Sequence, residues 1–270
     1  MNTLDQDSPK FIYKYGTWDD ILFRRLITKQ VAYFASPEIY GKEQDIIHKI
    51  DRCVLDENNR LQFYRDHYKK QYPDCSEDEI CRMAKNALKN YIITEDELFK
   101  FEQYWQKIYY KIIGVFCTGR TPYEKKLWRD FGEKAKGENF ISGICIKIDR
   151  ELAFSGLFGT GRKTDYGSPV SFNPLLISQS DTEAIKYASE FLFTLPADFC
   201  EENEYRIVRV FSDPNREIPI PKESIKQVIL HPKMGPTKIT EIKESVQSIL
   251  PDTEIKQLKK RGSEYKLVSI

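Results

Sequence analysis

Three carboxylates cluster in Phe199-Cys200-Glu201-Glu202-Asn203-Glu204-Tyr205-Arg206-Ile207-Val208-Arg209-Val210-Phe211. From Tyr205 onward apolar and charged residues alternate, the pattern of a half-buried strand. Side chains two apart on a strand share a face, so Glu202, Glu204 and Arg206 are expected to point the same way. Two neighbouring carboxylates repel, and one holds its proton unless a cation is close. Arg206 is placed to supply that cation. The arrangement suits a paired-carboxylate site. It equally suits a solvated acidic turn with a structural Glu–Arg pair at the start of an edge strand.

Other chemistry-bearing residues are sparser. Cys53, Cys75, Cys81, Cys117, Cys145 and Cys200 are scattered without a C-x-x-C pair, and His48, His67 and His231 lie far apart. This spacing predicts no metal site and fits a reducing, cytoplasmic compartment. Gly156, Gly159 and Gly161 run into Arg162 and Lys163. Glycine amides beside cations can cradle phosphate, but the run does not open a helix, so a hairpin or loop fits as well. Between Arg60 and Tyr72, Arg65, His67, Lys69 and Lys70 alternate with Phe63, Tyr64 and Tyr68. Such interleaving serves single-stranded nucleic acid through stacking and phosphate contacts. A solvated amphipathic helix has the same composition.

The chain of 270 residues is 40% hydrophobic and carries 16 Phe and 16 Tyr, enough for a sizeable core. Its 42 Lys and Arg nearly cancel 41 Asp and Glu, so no global field favours nucleic acid or membrane. No apolar run approaches the roughly 20 residues of a spanning helix, and the polar start Met1-Asn2-Thr3-Leu4-Asp5 is not a secretory signal.

The elements that must position the carboxylates follow from periodicity. Phe11–Tyr15 reads as a strand, Thr17-x-x-Asp20 as a near capping box before a helix, and Gln30–Ala35 as a second strand ended by Ser36-Pro37. Residues 43–113 are charged, tyrosine-rich and nearly free of Gly and Pro. Helical spacing recurs over Asp45–Leu55, Glu79–Tyr91 and Asp96–Ile113, with capping boxes at Ser76-x-x-Glu79 and Thr94-x-x-Glu97. Strand returns at Gly114–Gly119, helix at Pro122–Lys136, strand at Phe140–Asp149 and helix at Thr182–Leu195. After the acidic strand, an alternating tail runs through Ser224–Leu230, a helix over Ile239–Leu250, Glu254–Lys259 and Tyr265–Val268. The expected fold is α+β: a mixed or antiparallel sheet core from residues 1–42 and 114–270, with a helical insertion over 43–113.

Several of these fragments resemble the bacterial domain-of-unknown-function family number 2971. That family opens with a Lys-Tyr strand and a short helix, and a strand ending in Ser-Pro then leads to an Asn-Asp-Pro turn. A strand near Cys-Phe-Ser, a helix with Trp and Tyr, a Gly-containing strand ending in an acid and a late W-x-x-E-x-E-aromatic-Arg motif follow. Here Lys14-Tyr15, Ser36-Pro37, Phe116-Cys117-Thr118, Trp128 with Phe131, Gly143–Asp149 and Phe199-x-x-Glu202-x-Glu204-Tyr205-Arg206 keep that order. Tyr40–Asp45 replaces the Asn-Asp-Pro turn, Phe131 the helix Tyr, and Phe199 the Trp. The resemblance brings no established activity.

A looser likeness is to ADP-ribosyltransferases, which place a basic residue on an early strand, Ser or Thr on a middle strand, and glutamate, often as Glu-x-Glu, on a late one. Lys14, Thr118 and Glu202-x-Glu204 occur in that order, with Lys14 where those enzymes use His or Arg. The likeness implies NAD as substrate. Glu204 would stabilise the oxocarbenium-like cation as the nicotinamide–ribose bond breaks, and Glu202 would orient or activate the acceptor. Lys14 and Arg206 would meet phosphate or carboxylate, and Tyr13, Tyr15 or Trp128 would stack on nicotinamide. The acceptor, protein or nucleic acid, is open, and a bacterial stress or phage-defence setting suits such an activity. Two other readings stand beside it. One is a nucleic-acid-directed nuclease with Mg²⁺ on the paired carboxylates. The other is a non-enzymatic module whose 43–113 insertion binds a protein partner.

Overall fold

The computed structural model describes residues 8–40, 49–90, 94–132, 141–155, 160–167, 171–172, 190, 192–262 and 264–270. The chain opens with β1 (Phe11–Thr17), α1 (Ile21–Thr28) and β2 (Val31–Tyr33). The Asp20 carboxylate accepts the Leu22 and Phe23 amides at 2.8 and 3.3 Å, so one aspartate caps α1 where a Thr17–Asp20 box was expected.

The next described elements are β3 (Lys49–Ile50), a 3₁₀ turn over Arg52–Leu55, α2 (Glu57–Gln71), α3 (Glu77–Asn90) and α4 (Glu95–Ile112). The helix expected over Asp45–Leu55 is not formed in its described part. Asp51 accepts the Cys53 amide at 2.9 Å and starts only the short turn; residues 45–48 lie outside the described residues. Both expected capping boxes close. Ser76 N–H and Oγ donate to Glu79 at 2.9 and 2.8 Å, and Thr94 N–H and Oγ1 to Glu97 at 2.8 and 2.9 Å. α4 runs directly into β4 (Ile113–Gly119), and the Arg216 guanidinium donates to the carbonyls of Tyr110, Lys111 and Ile113 at that junction. Carbonyls orphaned at the helix end thereby gain a cationic partner.

Then follow α5 (Lys125–Gly132), β5 (Gly143–Asp149), α6 (Arg150–Phe154), β6 (Thr160–Lys163), β7 (Asp165–Tyr166), β8 (Ser171–Phe172), β9 (Thr194–Leu195), β10 (Glu204–Val210), β11 (Glu217–Pro219), β12 (Ile225–Leu230), α7 (Pro236–Ile249), β13 (Glu254–Arg261) and β14 (Glu264–Ser269). Residues 133–136 of one expected helix and 182–189 and 191 of another lie outside the described residues, as do Gly156 and Gly159 of the glycine-rich run. Gly161, Arg162 and Lys163 belong to β6.

Eight strands form one sheet in the order β14-β13-β12-β5-β1-β4-β10-β6. Pairing is antiparallel except for β12 with β13, which α7 joins as a crossover. The fold is α+β. Alternation divides the core between the two faces. Ile12, Phe116, Ile144, Ile146, Ile148, Tyr205, Ile207, Val228 and Leu230 pack with α1, α6 and α7. Tyr13, Tyr15, Cys145, Ile229 and Leu258 pack with Leu127 and Trp128 of α5. α5 sits close to the sheet because glycines meet: a Cβ on Gly143 would lie 2.7 Å from the Gly132 Cα. No described helix is long and apolar enough to cross a membrane.

Candidate functional site

The acidic stretch is not one strand. Residues Ala197–Glu202 form a 3₁₀ turn, Asn203 takes a left-handed conformation at φ 45°, and β10 begins at Glu204. Asn tolerates that conformation better than most residues. The Asn203 side-chain amide donates to Glu124 Oε1 at 3.0 Å, and Thr121 Oγ1 donates to the same oxygen at 2.8 Å. Glu202 therefore does not share a strand face with Glu204; it reaches the site from the turn.

Glu204 and Arg206 do share a face. Arg206 Nε and Nη2 donate to Glu204 Oε1 and Oε2 at 2.8 and 3.3 Å, and Nη1 donates to the Leu192 carbonyl at 3.2 Å. The fork is buried, with Glu204 and Arg206 5% and 3% exposed. Burial of this kind demands such pairing, because an unpaired charge there costs several kcal/mol (roughly 3–5). The Glu204 amide donates to Tyr166 Oη at 2.7 Å, and burial pushes the pKa of that phenol above its usual range.

Glu202 is held from α5. Lys126 Nζ lies 2.9 Å from Glu202 Oε1 and 4.5 Å from the Phe199 ring centroid. Burial raises the Glu202 pKa above its ordinary value. The Lys126 bond opposes the shift, and the charges of Glu204 and Asp130 add to it.

These groups surround a cleft of about 400 Å³. Lys14, Tyr15, Cys117, Thr118, Gly119, Glu204 and Arg206 form its floor, and Leu127, Asp130, Phe131, Leu195, Phe199, Glu202 and Ile39 its walls. Lys14 sits where β1 and β4 share a single registered pair, Tyr13 with Gly119. Its ammonium donates to the Cys117 carbonyl at 2.9 Å and lies 4.7 Å from the Phe116 ring centroid. Burial lowers the Lys14 pKa, while the neighbouring Cys117 and Glu204 pull it back up. The Cys117 thiol is pushed up to about 12 by burial and by Glu204, so it is protonated at neutral pH and a poor nucleophile.

Of the residues singled out from sequence, Lys14, Tyr15, Thr118, Glu202, Glu204 and Arg206 meet in the cleft, and Tyr13 and Trp128 are not among its lining. The Thr118 hydroxyl donates to the Tyr205 carbonyl at 2.8 Å, tying β4 to β10. Tyr15 Oη donates to the Thr121 carbonyl at 2.7 Å and accepts the Glu124 amide at 3.2 Å. Its ring meets Trp128 edge-to-face at 5.1 Å, and both are 4–5% exposed. Both rings are core packing at the base of the cleft, and Trp128, outside its lining, offers no face for a nicotinamide to stack on. Leu127, Asp130 and Phe131 entered the site without being read as site residues. Their i, i+3, i+4 spacing on an expected helix marked one face, but not that the face would roof an acidic turn.

Among the described residues no group of three or more His, Cys, Asp or Glu could hold a metal ion. Comparison with family models, curated proteins and solved structures found no match.

Proposed function

We propose that the cleft is the active site of an enzyme that consumes NAD, transferring ADP-ribose or hydrolysing the nicotinamide–ribose bond. The observation that carries this reading is convergence. Lys14 from β1, Thr118 from β4, Glu204 and Arg206 from β10 and Glu202 from the preceding turn line one concavity of about 400 Å³. A volume in the range of roughly 300–1,000 Å³ suits a small-molecule site. In this reading Glu204, held rigidly by Arg206, faces the positive charge that develops on the ribose as the C–N bond breaks and its electron pair returns to the nicotinamide ring. Glu202 takes the proton of the attacking water or acceptor hydroxyl. Lys14 contributes positive potential at the floor, and Thr118 keeps β4 and β10 in register. The resemblance to family number 2971 and to ADP-ribosyltransferases stands beside this reading as a proposal of kinship. A metal-dependent nuclease has less support, because its ligand set is missing among the described residues.

The test is nicotinamide release from NAD by purified protein, beside Glu204→Gln and Glu202→Gln. Loss of release in both variants, with circular dichroism confirming that each is folded, is the expected result. If wild-type protein releases no nicotinamide and calorimetry detects no NAD binding, the reading is wrong.

A further inference from the structure

Arg206, Lys126 and Lys14 stand in or beside the cleft, and the first two are committed to carboxylates. Arg206 is forked onto Glu204, and Lys126 holds Glu202. Lys14 is different. Its hydrogen-bond partner is a backbone carbonyl, that of Cys117 at 2.9 Å, and the Phe116 ring centroid lies 4.7 Å away. Glu204 and Asp20 act on it through their charge alone, without a hydrogen bond. Both glutamates of the cleft already have a cation, so Lys14 is not needed as a counter-ion.

That difference decides what the nitrogen can do. An ammonium fixed by a carboxylate stays charged. An amine that gives one N–H to a neutral carbonyl keeps that bond on losing a proton, because two N–H groups remain, and its lone pair is then available. Burial favours that loss by lowering the Lys14 pKa, against the charges of Cys117 on β4, Glu204 on β10 and Asp20 at the start of α1. Lys14 also has somewhere to react. It follows the single registered pair of β1 with β4, Tyr13 with Gly119, and lines the cleft of about 400 Å³ together with Arg206, Asp130 and Glu202. Glu202 supplies an acid in the same cavity. Burial and the charges of Glu204 and Asp130 raise its pKa against the opposing Lys126, so this carboxyl keeps its proton to higher pH than an ordinary glutamate.

We propose that Lys14 is a nucleophile that forms a Schiff base with a small aldehyde or ketone held in the cleft, with Glu202 as the proton donor. This chemistry needs no NAD and is a second capability of the same cavity. The group that lends positive potential while protonated is the nucleophile once it is not. The Lys14 lone pair forms a C–N bond to the carbonyl carbon as the π pair moves to oxygen. A proton passes from nitrogen to that oxygen, giving a carbinolamine. The Glu202 carboxyl then protonates the hydroxyl, water leaves with the C–O pair, and nitrogen closes the C=N bond as an iminium. Nothing is oxidised or reduced.

Reductive trapping tests it: benzaldehyde at limiting concentration with cyanoborohydride, then digestion and mass spectrometry of each lysine-bearing peptide. Lys14 is expected to take the label ahead of Lys69 and Lys100, whose side chains are both 71% exposed. Its labelling rate should rise with pH to a midpoint below the 10.5 of an ordinary lysine. These two readouts use the unaltered protein and hold whether or not a variant folds. Lys14→Arg should lose the label at that position. Glu202→Gln should slow labelling of Lys14 by about a hundredfold, the lower end of general-acid assistance, and leave Lys69 and Lys100 unchanged. Exposed lysines labelled first, with Lys14 unmodified, would overturn the inference, as would a midpoint at or above 10.5. None of these outcomes depends on nicotinamide release, so the NAD-consuming reading stands or falls separately.

Discussion

The floor and the rim of the cleft each hold one glutamate–cation pair, built on different principles. On the floor, Glu204 and Arg206 are two residues apart on one strand, in a fork whose side chains are 6% and 4% exposed. On the rim, Glu202 and Lys126 come from a 3₁₀ turn and a helix some 76 positions away, and their side chains are 15% and 16% exposed. The floor pair is local, preformed by strand geometry and shielded from solvent. The rim pair is tertiary, and exists only while α5 lies over the turn. The comparison separates a fixed electrostatic element from one whose protonation can change.

The largest effect is expected on the floor. Arg206→Met leaves the Glu204 carboxylate buried without its cation and should cost about 3–5 kcal/mol in denaturant unfolding. A cost under about 1 kcal/mol would mean that the fork is not the keystone of β10. Lys126→Met on the rim should cost less, about 1–2 kcal/mol, by removing a charge-assisted bond from a partly solvated carboxylate. It should also raise the Glu202 pKa further, moving the acid limb of any pH–rate profile to higher pH. An unchanged profile would detach Glu202 from the chemistry.

The rim also predicts a pH dependence of stability. Glu202 faces Lys126 and Asp130 from α5, Glu204 from β10 and Tyr166 from β7, and its folded pKa lies above the ordinary value of 4.5. A carboxyl raised by folding contributes stability that is full below its unfolded pKa and lost as pH rises through its folded pKa. Wild-type stability relative to Glu202→Gln should therefore fall as pH climbs from 4.5 through that folded value, and level off above it. A difference that grows in the opposite direction would show that Lys126 outweighs burial. The smallest effect is expected beneath the cleft. Tyr15→Phe removes one bond given and one received, and should cost about 1 kcal/mol with nicotinamide release unchanged. A release defect larger than the loss of folded protein would return Tyr15 to the reaction.

Local signals in the chain read well where their cause was local. The Ser76–Glu79 and Thr94–Glu97 boxes close because cap and partner are three residues apart. The Glu204–Arg206 fork was legible because two residues on one strand share a face whatever surrounds them. Misreadings arose where a single backbone position intervened. Asn203 in the left-handed region ends the 3₁₀ turn, so the alternation that begins at Tyr205 does not extend back to Glu202. Asp51 likewise caps a short turn inside what spacing alone made a helix.

The sequence by itself determined the α+β class, the helical character of the stretch before β4, the strand bearing Glu204 and Arg206, and their pairing. All of these follow from periods and caps that act over a few residues. The tertiary structure alone decided that Glu202 answers to Lys126, that Tyr15 and Trp128 pack against each other beneath the cleft, and that Leu127, Asp130 and Phe131 wall it. Those outcomes depend on how closely α5 lies on the sheet. That distance is set by the meeting of Gly132 and Gly143, residues adjacent in space and 11 apart along the chain, which no short-range pattern encodes.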